Sequence, residues 1–138
     1  MTLVTGMRRI VARALLAAAV LIAAAPAMAG DLSDLLRGGV WRMEGSADAP
    51  NLSFEDAERV GGDTGCNRFG GGYRIEAGRI IAPALVSTKR ACLDPAANAL
   101  EQRFTALLTA GPRIVLEGDR LMLEAPDGAA MTFLRVRD

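Results

Sequence analysis

The chain has 138 residues, 16 basic and 16 acidic, and no histidine. Its zero formal charge and lack of a long basic run argue against nucleic acid or an anionic membrane surface as partner. The absence of histidine closes the commonest routes to general acid–base catalysis and to a protein zinc site.

The first 29 residues read as a cleavable signal peptide. Arg8, Arg9 and Arg13 precede the apolar run Ala14 to Ala25, and "AMA" (27–29) supplies a small-x-small site, placing cleavage after Ala29. Twelve apolar residues rise only about 18 Å as a helix, short of a bilayer core of about 30 Å. The Arg8-Arg9 pair lacks the rest of a twin-arginine motif, and no cysteine follows the cleavage site to carry a lipid. The address implied is periplasmic or secreted. Residues 30–138 then form one domain with a modest core. Its 13 basic and 16 acidic residues leave it mildly acidic, and no transmembrane segment is expected in it.

Residues 30–37 read as a lead-in of about one helical turn. From Val40 onward, short apolar stretches alternate with Gly, Asn, Asp and Pro, the rhythm of an antiparallel barrel or sandwich. Candidate strands cover 40–44, 51–55, 59–65, 72–76, 79–82 and 85–90. After a break they resume at 113–117, 120–125 and 130–136. Leu121 and Leu123 share one face of their strand, as do Met131, Phe133 and Arg135 of theirs. "EAGR", "EGDR" and "APDGA" supply the hairpin turns.

One segment has helical period. Asp94 is placed to cap, Pro95 opens the first turn, and Gly111-Pro112 stop the helix. Leu100, Phe104, Leu107 and Leu108 fall on one face, predicting an amphipathic helix over 95–109 that packs on the sheet.

The Gly-rich stretch "GGDTGCNRFGGGY" (61–73) holds Cys66, one of two cysteines. A nucleophilic thiol needs a base or a pKa-lowering environment, and histidine is missing. The second cysteine, Cys92, lies too far along the chain for a C-x-x-C redox motif, and no phosphate-loop pattern is present. A structural role remains, as a buried free thiol or as a disulfide to Cys92; the oxidising address favours the disulfide. No metal site and no cofactor are expected.

"GDTGCNRFGGGY", followed by "STKRAC" and "ALEQRF", resembles the META domain, or HslJ-like, family. The likeness runs from Trp41 and "NLSF" through the cysteine-asparagine core to the helix. It implies a small β-barrel-like domain with one helix, secreted or envelope-attached, linked to heat-shock and stress responses, with no reaction attached. The position of Arg90 is often methionine in that family, and some relatives carry a lipoprotein cysteine that is absent here.

The polar residues matching the motif are Asn67, Arg68, Thr88 and Glu101. As a scaffold, Asn67 would adopt a left-handed or turn conformation or hydrogen-bond exposed backbone, and Glu101 would cap or pair locally with Arg103 or another basic side chain. As a binding surface, Asn67, Arg68 and Glu101 would line the motif end of the barrel, with Lys89 and Arg90 completing a small basic spot. The function expected is a non-catalytic, monomeric stress-associated envelope protein that binds a protein or small ligand. A small-molecule carrier and a secreted protease-inhibitor-like module are the alternatives.

Overall fold

The computed structural model describes residues 29–45 and 48–137, and the segment read as a signal peptide lies outside them apart from Ala29. The elements are α1 (Ala29–Leu36), β1 (Val40–Met43), β2 (Asn51–Phe54), β3 (Arg59–Asp63), β4 (Arg68–Gly72), β5 (Arg74–Glu76), β6 (Arg79–Ile81), β7 (Val86–Ser87), α2 (Pro95–Thr109), β8 (Arg113–Glu117), β9 (Arg120–Glu124) and β10 (Ala130–Val136).

All ten strands form one sheet in the order β5-β6-β8-β9-β10-β1-β2-β3-β4-β7, and every pairing is antiparallel. Strands β4 and β5 stand eight positions apart in that order, about 38 Å across a flat sheet. Only Tyr73 separates them in sequence, and a two-residue step spans about 7 Å. The sheet must therefore curl into a half-barrel. Tyr73 clasps the curl: its N–H donates to Glu58 O at 2.7 Å, its hydroxyl to Asp56 O at 3.0 Å, and its buried ring meets Phe54 edge-on.

The concave face collects the alternating apolar residues, with Trp41, Leu52, Phe133, Leu121 and Leu123 wholly buried. Helix α2 lies against this face through Phe104, Leu107 and Leu108, with Leu100 partly buried beside them. The Phe104 ring sits 5.4 Å from Phe69 and 6.0 Å from Phe133, so one side chain ties both halves of the sheet to the helix. Asp94 caps α2 by accepting from Ala96 N–H, and Gly111, at φ +69°, turns the chain out of it.

Three readings of the sequence change here. The lead-in is an eight-residue helix, whose C-terminal carbonyls are satisfied from the sheet. Trp41 Nε1 donates to Leu36 O, and Arg135 donates to Leu35 O and Arg37 O while stacking 4.3 Å over the Trp41 ring. Next, a whole strand, β4, lies in the "RFGGG" stretch between two expected strands; its glycines supply no alternating side chains to read. Last, the strand expected over 85–90 pairs as a ladder only at Val86 and Ser87, because beyond them the chain is held by a side chain.

Candidate functional site

Cys66 and Cys92 are joined by a disulfide with Cα atoms 5.8 Å apart, and no cysteine is free. The bond fastens the turn between β3 and β4 to the strap of residues 88–94 that leads into α2. Gly65 makes the turn at φ +89°, and a side chain there would press on Asp48 O. Gly62 lies so close to β2 that a Cβ would overlap the Asn51 carbonyl. Both glycines let the backbones approach.

Asn67 sits behind the disulfide, 4 % exposed. Its Oδ1 accepts from Thr88 Oγ1 at 2.9 Å and from Arg90 N–H at 2.6 Å. Its Nδ2 donates to Glu101 Oε1 at 2.8 Å and to Arg90 O at 3.2 Å. A primary amide has two donors and two acceptor sites, so Asn67 is saturated. It thereby completes the ladder that β4 and β7 begin, standing in for a missing strand residue opposite Arg90.

Thr64, which the sequence did not single out, is the second hub and is 2 % exposed. Its hydroxyl accepts from Asn67 N–H at 2.8 Å and Cys66 N–H at 3.3 Å and donates to Glu101 Oε1 at 2.8 Å. The signal for it was a threonine placed to close a tight turn on the following amides.

Glu101 reaches this network from α2. Its expected partner Arg103 is not engaged; Oε1 instead accepts hydrogen bonds from Thr64 Oγ1 and Asn67 Nδ2, because its turn of the helix faces the β3–β4 connection. Oε2 lies 3.4 Å from Cys92 Sγ, a contact without a proton because the sulfur is bonded to Cys66. Asn67 is not left-handed, since Ala77 is the one non-glycine residue at positive φ among those described; hydrogen bonding to backbone is the role it takes.

The ligand-type atoms of Cys66, Cys92 and Glu101 lie within 4.8 Å of one another. With the sulfurs bonded together neither is a thiolate, and one carboxylate remains as a ligand of ordinary strength.

The structure brings Asn67, Thr88 and Glu101 together and turns the side chains of Arg68, Lys89 and Arg90 outward, so the six motif residues divide into a knot and a rim. Lys89 and Arg90 of the rim border a groove of about 660 Å³ between the 87–91 strap and the Gln102, Thr105, Ala106 and Thr109 face of α2, while Arg68 flanks Val86, Ser87 and Thr88 from β4. A second depression, of about 560 Å³, shares Arg90 and Ala91 and is lined by both cysteines, Asp48, Asp63, Asp94 and the almost fully exposed Leu93.

Solved structures share this architecture. An NMR structure of a protein superposes with a TM-score of 0.64 at 22% identity, covering 75% of this chain and 93% of the other. A protein from Burkholderia xenovorans, also solved by NMR, gives 0.63 at 22% identity, covering 78% and 88%. In sequence, the chain is 30% identical over 74 residues to heat shock protein HslJ of Escherichia coli (strain K12); the match spans 54% of this chain and about half, 52%, of that protein. The META domain family model matches residues 33–138, from within α1 to the chain's last residue, so it takes in the knot, the rim and the disulfide: the chain belongs to the META domain family.

Proposed function

We propose that this protein is a non-catalytic, stress-associated envelope protein that works by binding a partner on the cationic rim around its disulfide-pinned strap. The observation that carries this reading is the division of the motif. Asn67 and Thr64 are used up in holding the strap, while Arg68, Lys89 and Arg90 have exposed side chains and no ion pair among the described residues. A rigid strap presents such groups at low entropic cost. The sequence likeness to a heat shock protein supports the stress association, and the disulfide together with the signal-like first 29 residues supports a periplasmic or secreted address. A carrier is less well supported, because Trp41, Phe104 and Phe133 fill the concave interior.

The test is crosslinked capture from envelope extract, with and without heat stress, by the wild type and by the Arg68→Ser/Lys89→Ser/Arg90→Ser variant. The variant is expected to melt within about 0.5 kcal/mol of wild type, since exposed charges contribute little, and to lose its partners. Equal capture at equal salt refutes the rim as the binding surface. Substrate turnover that disappears in a folded Cys66→Ser variant refutes the non-catalytic reading.

A further inference from the structure

We propose that the free edge of β7, with the groove beside it, takes an extended acidic peptide as an added strand. This rests on the binding reading above and names the chemistry of its partner.

Strand β7 ends the sheet order. Its register pairs Ser87 with Phe69 and Val86 with Gly70, and Thr88 N–H donates to Arg68 O. Antiparallel ladders alternate, so Val86 and Thr88 turn their backbone groups to β4 while those of Ser87 point to the open edge. Past the ladder the alternation continues: Arg90 turns inward to Asn67 on both N–H and C=O, leaving Lys89 to face outward as Ser87 does. Ser87 and Lys89 thus present a row of backbone donors and acceptors along one side of the groove.

Across the groove, Thr105, Ala106 and Thr109 of α2 are small, so a second backbone has room to lie alongside the edge. Val86, 72 % exposed, offers apolar area next to it. This combination of unpaired ladder groups with shallow room for alternate side chains is the requirement for strand addition.

Charge selects the occupant. Among the described residues, Lys89 and Arg90 line this groove and Arg68 flanks β7 from β4, all three without an acidic partner. Arg37, Arg59, Arg74, Arg113, Arg120, Arg135 and Arg137 are ion-paired, and the other unpaired cations among the described residues, Arg42, Arg79 and Arg103, do not line the groove. Glu101 also lines the groove, but its Oε1 is held by Thr64 and Asn67. The same cations disfavour edge-to-edge pairing with a second copy, whose edge carries the same charge.

The probe is a short fluorescein-labelled peptide alternating glutamate with valine, titrated by polarisation against the full chain. Saturable binding that weakens with salt is expected. N-methylating alternate residues of the peptide removes its ladder donors and is expected to weaken binding at least about tenfold. Ser87→Pro deletes one outward N–H at a position where edge strands tolerate proline, with a loss of up to about tenfold while melting stays near wild type. The N-methylated peptide needs no protein variant, so it decides the matter even if Ser87→Pro misfolds. Undiminished binding of the N-methylated peptide, equal binding of a lysine–valine peptide, or no binding of the acidic peptide overturns the proposal. If a folded Ser87→Pro variant still captures envelope partners that the triple serine variant loses, strand addition falls and rim binding stands.

Discussion

Replacing Asn67 tests whether one amide holds the strap in place. Asn67→Ala removes four hydrogen bonds, three to neutral groups and one to the Glu101 carboxylate. At about 1 kcal/mol for a neutral bond and 1.5–3 for a charged one, the gross loss is about 5 kcal/mol. Thr88 and Arg90 are exposed enough for water to replace part of it, so the expected cost is about 2–4 kcal/mol. Asn67→Asp is the sharper variant. It keeps the acceptor that serves Thr88 and Arg90 N–H but places an oxygen where Nδ2 now donates to Glu101 Oε1 at 2.8 Å. Two carboxylates at that distance cannot both be ionised without penalty, so the folded variant should retain a proton that the unfolded chain gives up. A carboxyl pKa raised on folding makes stability fall as pH rises above the unfolded value, by up to about 1.4 kcal/mol per pH unit until the folded value is passed. Urea unfolding of wild type and variant should therefore show a difference that is small near pH 4 and grows towards pH 8, to about 3–5 kcal/mol. A difference that does not change with pH, or an alanine variant within about 0.5 kcal/mol of wild type, refutes the knot as drawn.

The other expectations concern the core, the staple and the clasp. Phe104→Ala empties the contact between helix and both halves of the sheet and should cost about 3–5 kcal/mol, read from urea unfolding; unchanged melting would take α2 out of the core. Thiol titration of denatured, unreduced protein should find no sulfhydryl, and reduction should lower stability by about 3.5 kcal/mol, the loop entropy for a separation of 26 residues. Two free thiols, or melting indifferent to reductant, would count against the staple. Burial raises the Tyr73 phenol above its usual 10.0, with Arg37 opposing and Asp56 adding. Its ultraviolet titration should run late, and stability should decline as pH climbs past the unfolded phenol value towards the folded one. A midpoint at 10 would say that the ring is solvated.

The sequence made the C-terminal meander and the helix legible because their side chains alternate at the periods that burial demands. Leu121, Leu123, Met131 and Phe133 all fall on the concave face, and α2 begins at Pro95 behind its Asp94 cap. Strand β4 was hidden because Gly70, Gly71 and Gly72 give no pattern, and their place in the sheet is set by the partners on either side. Composition and compartment favour a disulfide over a buried free thiol, and the bond is there. The partner of Glu101 was missed for a tertiary reason: Arg103 is two residues along the helix, while Thr64 and Asn67 arrive from 37 and 34 residues away. Thr64 itself gave only a turn signal, and nothing local marks a buried hub. Arg135 read as one more residue on the apolar face, and it does lie there, but as a cation stacked on Trp41 with its Nη donors on the end of α1 and its Nε beside Asp119.

The pairing of β1 with β10 sets the order of events in folding. Val40 is matched to Val136 and Met43 to Phe133, at the middle of the sheet order, so the seam joins the two ends of the domain. Loop closure over so long a separation comes late, and long-range pairing slows folding. A chain delivered from its N-terminus holds β1 with only β2 beside it until β10, the last strand, has arrived. The only tryptophan, Trp41, lies on that seam opposite Arg135, so the part of its fluorescence change that comes from the Arg135 guanidinium over its ring belongs to that closure.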